Sequence, residues 1–336
     1  MKIIIGDEVR EFDKSVRVLD LIDDPNKKYM VAKVNNRLRE LSYKFDSDAV
    51  VEFLELDHSE AMHVYETSLR YLISMAFKKV YPTYSIKFKY SLSRSVFCYI
   101  TNVENVNIEE ILISIEKEMR HLVAQDLPFI RETIFKDEAI KLYDENKYQD
   151  KIDVLKYRPD QTVHLYQCDD YKNYMYGYMV PSTGYLKQFK FRPYDVGFLI
   201  QYPRSDYNKQ IPEFEDAPKY VDTLREASIW ADIVDAGTVS DLNKHIERNK
   251  VVDFVHMCEA KHNAMLTEIG DLVKREKDRI RLIAIAGPSS SGKTTFSNRL
   301  RIELMTRGLR PITISLDDYY LNREDIPEDE NGNVDL

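Results

Sequence analysis

Gly287-Pro288-Ser289-Ser290-Ser291-Gly292-Lys293-Thr294-Thr295 fits the spacing GxxxxGK[ST], which wraps backbone N–H groups around phosphate oxygens. Gly287 and Gly292 permit the tight turn, and a helix starting at Thr294 adds the positive end of its dipole. Lys293 can reach the β- and γ-phosphates and Thr294 can hold Mg²⁺, so Ser289, Ser290, Ser291 and Thr295 complete a candidate ATP-binding loop. The chain has only 10 glycines in 336 residues, so a pair at this spacing is informative. A second group, Leu316-Asp317-Asp318-Tyr319-Tyr320, follows a strand-like run, Pro311–Ser315. A carboxylate at the C-terminal edge of a strand beside a phosphate loop lies near the γ-phosphate. Asp317 could therefore act as base toward an acceptor hydroxyl or orient it; a strand-end cap is the alternative.

Such a loop needs a buried strand before it, and Arg281–Ala286 reads as one, fed by helical patterns at Tyr220–Ala231, Val239–Arg248 and Val252–Lys277. Residues 203 to 218, polar with three prolines, read as an exposed connection. The first 56 residues alternate short β-rich runs with turn signals: Lys2–Ile5, Val9–Phe12, Tyr29–Val34, Leu38–Tyr43 and Val50–Leu56, with a short amphipathic segment at Val18–Ile22. A half-buried sheet crossed by one helix suits a β-grasp unit. Apolar residues then recur at helical spacing over Ser59–Val80, with Pro82 ending the run. Strands at Ile86–Tyr90 and Val96–Ile100, helices at Ile108–Ala124 and Lys136–Tyr148, and a tyrosine-dense extended stretch at Val163–Phe191 complete an α+β middle region.

The net charge of −9 lacks the footprint of a general nucleic-acid binder, while leaving room for a local basic face. Three separated cysteines, Cys98, Cys168 and Cys258, argue against a disulfide scaffold. No apolar run approaches the roughly 20 residues that cross a bilayer. A cytoplasmic protein with no membrane partner is expected.

The phosphate loop and the Ser315-Leu-Asp-Asp-Tyr-Tyr320 run together resemble the uridine kinase and phosphoribulokinase group of P-loop kinases. The resemblance implies phosphoryl transfer from ATP, with Mg²⁺, to a nucleoside 5′-hydroxyl (uridine or cytidine), with Lys293 and Asp317 catalytic and Tyr320 near the nucleoside. The N-terminal unit is similar to the TGS domain that opens threonyl-tRNA synthetases. His58-Ser-Glu-Ala-Met62 is similar to the HSxAH helix of their editing domain, and Met175-Tyr-Gly-Tyr-Met179-Val-Pro-Ser-Thr-Gly184 to its CxGPHVPSTG segment. Of the family's His, His, Cys and His, only His58 is kept; Met62, Met175 and Met179 replace the rest. Thioethers are neither bases nor good Zn²⁺ donors, so this relic editing site is expected to have lost its chemistry.

The whole resembles a bacterial family of fused nucleoside kinases. It implies a multidomain α+β chain: a TGS-like β-grasp domain (1–57), a synthetase-editing-like domain (58–225), a helical connector (226–278) and the start of a P-loop α/β doubly wound domain (279–336). The alternative function is a tRNA- or RNA-binding or regulatory module working through the N-terminal half. Beyond Gly287 there is room for one βαβ unit and a tail. The chain is therefore expected to be cut within the kinase domain and to transfer little or no phosphate.

Overall fold

A computed structural model describes residues 1–101, 103, 107–146, 148–322, 326 and 327. The chain divides into two compact units, Met1–Ile233 and Val234–Leu336. The structure is α+β, with several sheets in the first unit and helices in the second.

The first unit opens with β1 (Lys2–Ile5), β2 (Glu8–Glu11), β3 (Val16–Arg17), β4 (Tyr29–Val34), β5 (Arg37–Arg39), β6 (Lys44–Phe45) and β7 (Ala49–Glu55). Five of these form a mixed sheet in the order β2-β1-β7-β4-β5, in which β1 runs parallel to β7. The crossing helix expected near Val18 is only a 3₁₀ turn, Val18–Leu21. That turn buries Val18 and Leu21, but the long helix α1 (Ser59–Val80) packs against β4 and β7. One apolar core consequently runs from Ile3 through α1 to Tyr202, across the junction at residue 57.

Next come β8 (Ser85–Leu92), β9 (Ser95–Thr101), α2 (Ile108–Gln125), β10 (Ile130–Phe135), α3 (Lys136–Glu145), α4 (Gln149–Tyr157), β11 (Thr162–Cys168), β12 (Tyr171–Asn173), β13 (Lys190–Tyr194), β14 (Gly197–Gln201) and α5 (Pro218–Ile233). They build two antiparallel sheets, β10-β11-β12 and β13-β14-β9-β8. The helix expected over 136–148 ends at Glu145, and a second helix that was not expected follows from Gln149. Asn146 closes the first through its backbone N–H to Leu142 O, and a second set of apolar residues, Ile152 and Leu155, resumes beyond it. α5 starts earlier than its periodicity suggests and buries Val221 with Leu92, Phe97 and Leu199.

The second unit holds α6 (Val239–Glu247), α7 (Val251–Arg275) and α8 (Lys293–Thr306). Thr238 and Asp241 form a reciprocal capping box at the start of α6. α7 and α8 share a small core of Leu266, Val273, Leu300 and Leu304. Neither strand expected of a doubly wound domain is formed: 281–286 and 311–315 are irregular. Among the described residues neither run has a strand to take its N–H and C=O groups, and Leu282, Ile312 and Ile314 stay exposed. Residues 329–336, in the expected tail, lie outside the described residues. Among the described residues no helix is long and apolar enough to cross a membrane.

Candidate functional site

In the antiparallel pair β10–β11, Thr133 stands opposite His164 and Arg131 opposite Tyr166. Strand alternation sends Val163 and Leu165 to one face, where they are buried with Ala139, Tyr143 and Leu155. Arg131, Thr133, His164 and Tyr166 take the other. The first three of these line an open cleft of about 490 Å³ with Arg39, Glu40, Ser42 and Tyr43, from the end of β5 onward, and Tyr178, from the loop after β12.

Glu40 is the buried carboxylate of this cleft. It accepts the Tyr166 hydroxyl and the Met179 backbone N–H (3.0 Å) at Oε1, and the Ser42 hydroxyl (3.3 Å) at Oε2. Burial, with Glu40 beside it, pushes the Tyr166 hydroxyl far above its ordinary range. Arg39 donates from Nη1 to the Leu38 carbonyl (3.0 Å) and the Tyr178 hydroxyl (3.3 Å), and its guanidinium lies 5.1 Å over the Tyr43 ring. The Arg131 guanidinium lies 5.3 Å over the Tyr178 ring. Among the described residues neither arginine has a carboxylate partner at salt-bridge distance. Thr133 Oγ1 and His164 Nδ1 are 2.9 Å apart. Burial, then the positive charges of Arg131 and Arg158, hold His164 below the ordinary imidazole range, so it is neutral at pH 7.

The relic editing positions form no polar constellation. Met62 and Met179 are buried in the main core, Met175 packs half-buried against it, and His58 precedes α1 with its side chain about half exposed. Met62 Sδ receives the Ser205 hydroxyl at 3.8 Å, whereas His58 Nδ1 lies 3.9 Å from Glu60. His63 is exposed where its neighbour Met62 is buried, as the helical angle between adjacent residues requires. Among the described residues no three His, Cys, Asp or Glu side chains form a metal-holding group.

Pro181-Ser-Thr-Gly184 acts as a fastener in this structure. Asp126, at the end of α2, accepts the Ser182 hydroxyl, the Gly184 N–H (3.2 Å) and the Lys27 ammonium (2.7 Å). Thr183 Oγ1 donates to the Leu122 carbonyl (2.6 Å) and accepts the Leu127 N–H (2.9 Å). Lys27 comes from the N-terminal β unit, so the segment ties three elements together. A Cβ on Gly184 would stand 2.3 Å from Asp126 Oδ1, which leaves room only for glycine.

Lys151 on α4 gave no signal in the sequence. Its ammonium donates to Asn173 Oδ1 and lies 4.5 Å over the Tyr148 ring, and its enclosure lowers its pKa to about 8. A lysine that gives up its proton more readily folded than unfolded opposes folding. The penalty is full below about pH 8 and vanishes above the unfolded value of about 10.5. Lys151→Met is therefore expected to raise stability at pH 7 by about 1–3 kcal/mol, because Asn173 Oδ1 keeps the Tyr174 N–H at 2.9 Å. Thermal melts at pH 7 and pH 10 check this, with the gain shrinking at the higher pH.

In the second unit the candidate loop Gly287–Thr295 leads into α8. Gly292 is left-handed (φ 85°) at the start of α8, and Lys293 is the first helical residue. Lys293 Nζ bonds the Pro288 carbonyl at 2.8 Å, and the Ser291 N–H bonds the same oxygen at 3.3 Å. Ser289, Ser290, Ser291, Thr294 and Thr295 are exposed, as are Asp317, in a 3₁₀ turn, and Tyr320 after it. Among the described residues no sheet brings Asp317 beside Lys293.

Within the tyrosine-dense stretch, Tyr166, Tyr171 and Tyr185 are buried, whereas Tyr178 lines the cleft and Tyr176 is 87% exposed. Arg39, Tyr43, Arg131 and His164 were not legible as a site, because strand register joins only Arg131 and His164, and the segment of Arg39 and Tyr43 reaches them from another sheet by tertiary packing.

No family model matches the chain. Threonine–tRNA ligases of Listeria welshimeri and Listeria monocytogenes are 32% identical to it over 197 residues, covering 56% of this chain and 30% of theirs. Those of Fusobacterium nucleatum and Rubrobacter xylanophilus are 33% identical over 170 and 161 residues, covering 49% and 48% of this chain and 27% and 25% of theirs. The chain thus spans under a third of the length of these curated relatives. The likeness supports a TGS- and editing-like region, and it does not extend to a nucleoside kinase.

Proposed function

We propose that the first unit is an RNA-binding module built on a synthetase scaffold, which takes tRNA without hydrolysing its aminoacyl ester. The observation that carries this is the 32% identity over 197 residues to threonine–tRNA ligases. Methionine at three of the four positions of the family's editing set supports the loss of hydrolysis, since a thioether can neither activate water nor hold Zn²⁺ well. Binding of labelled tRNA to the full chain, unaffected by ATP, tests the reading. Release of threonine or serine from charged tRNA would reverse its second half.

A second reading rests on the loop at Gly287–Thr295: a nucleoside kinase transferring phosphate from ATP to a uridine or cytidine 5′-hydroxyl. Gly292 in the left-handed region and Lys293 at the helix start favour a phosphate-binding loop. Lys293 would hold the ATP phosphates and Thr294 the Mg²⁺, with Asp317 and Tyr320 on the acceptor side. Transfer to uridine that Lys293→Ala abolishes would establish it. With neither flanking strand formed, transfer by this chain is expected to stay at background.

A further inference from the structure

We infer that the cleft between Arg39 and Arg131 binds a single nucleoside monophosphate unit, with its phosphate on the two guanidiniums and its base against the tyrosine rings. The inference deepens the RNA-binding reading, and rests on it only for the source of the nucleotide.

Each end of the ligand has its counterpart. The two arginines come from separate elements, yet line one cleft without a carboxylate partner among the described residues. Arg39 spends only Nη1 on protein acceptors, leaving Nε and Nη2 as donors toward an anion. Both guanidiniums lie over rings, Arg39 over Tyr43 and Arg131 over Tyr178, and such layers are platforms on which a base stacks whatever its identity. Glu40 offsets part of this charge, but its oxygens accept from Tyr166, Ser42 and the Met179 N–H instead of pairing with either guanidinium, so two arginines against one carboxylate leave the cleft net positive. The Thr133–His164 pair supplies neutral hydrogen-bonding groups for a sugar or base edge. A cleft of about 490 Å³ lies within the range that encloses a small ligand. In a chain of net charge −9, two arginines with no carboxylate at salt-bridge distance among the described residues mark a local exception.

The shared chemistry has two sources, a free nucleotide or an unpaired nucleotide of RNA. The test uses the full chain carrying Lys293→Ala, so that the phosphate loop contributes nothing. Calorimetry with AMP, adenosine, inorganic phosphate and a 5′-phosphorylated RNA tetranucleotide should rank AMP and the tetranucleotide at least roughly 10-fold above the other two. Arg39→Gln with Arg131→Gln should weaken AMP at least roughly 10-fold, and Tyr178→Leu roughly 5-fold or more, while melting temperatures confirm the fold. Equal affinity of the double variant and its parent for AMP, or phosphate binding as tightly as AMP, would overturn the inference. If tRNA binds parent and double variant alike and AMP shows no arginine-dependent binding, the inference fails and the RNA reading survives. If AMP binds through the arginines and tRNA does not bind, the RNA reading fails and a free nucleotide is the ligand.

Discussion

Gly197→Val is expected to cost roughly 3–5 kcal/mol and to lower the melting temperature of the first unit by roughly 10 °C or more. A Cβ at this position would stand 2.2 Å from the Cys98 carbonyl oxygen and 3.2 Å from the Phe97 ring. The obstacle is backbone in the middle of a sheet. Phe198 pairs with Cys98 on β9 and Gly197 with Tyr194 on β13, so relief means parting strands on one side or the other. No side-chain rotation can make the space. Gly6→Ala is the comparison: nothing lies within 4 Å of its Cβ, and its positive φ of 58° alone should cost about 1 kcal/mol. Thermal denaturation of both variants measures the difference, and equal losses would refute the packing argument.

Asp126→Ala is expected to remove about 2–4 kcal/mol and to loosen the N-terminal β unit from α2. The carboxylate gathers Lys27, Ser182 and the Gly184 N–H, so its loss leaves the Ser182 hydroxyl and the Gly184 N–H without their acceptor and Lys27 with only Ser182 Oγ, at 3.3 Å. Burial alone would raise the Asp126 pKa, but hydrogen bonds from Lys27 and Ser182 outweigh it and hold the group below its ordinary 3.8. A carboxyl with a depressed folded pKa stabilises the fold fully above its unfolded pKa, and that contribution drains away as pH falls below about 4. The gap between parent and Asp126→Ala should therefore be widest at neutral pH and narrow in acid. A gap independent of pH between 7 and 3 would mean that the carboxylate is not the fastener.

How much could be read beforehand depended on how local the determinants were. α1 was legible to the residue because a long amphipathic period and Pro82 define it without help from other segments. β4 and β1 were legible for the same reason, being short β-rich runs between turn signals. The runs at 281–286 and 311–315 are apolar enough to be strands, yet strand formation depends on a neighbour, and none pairs with them among the described residues. The meaning of Pro181–Gly184 was half legible. Its resemblance to a synthetase segment identified the right region, but nothing in the sequence tied it to Asp126 and Lys27, which are distant in the chain. The Arg39–Arg131 cleft stayed hidden because strand pairing, not spacing, brings Arg131, Thr133 and His164 onto one face.

The central claim is that the first unit recognises RNA, and the most direct measurement is a titration of labelled tRNA with the full chain at low and moderate salt. The expected result is saturable binding, micromolar or tighter at roughly 0.1 M salt, weakening as salt rises and indifferent to ATP. Absence of saturable binding at both salt concentrations, or retention of tRNA no greater than that of an unrelated acidic protein, would contradict it.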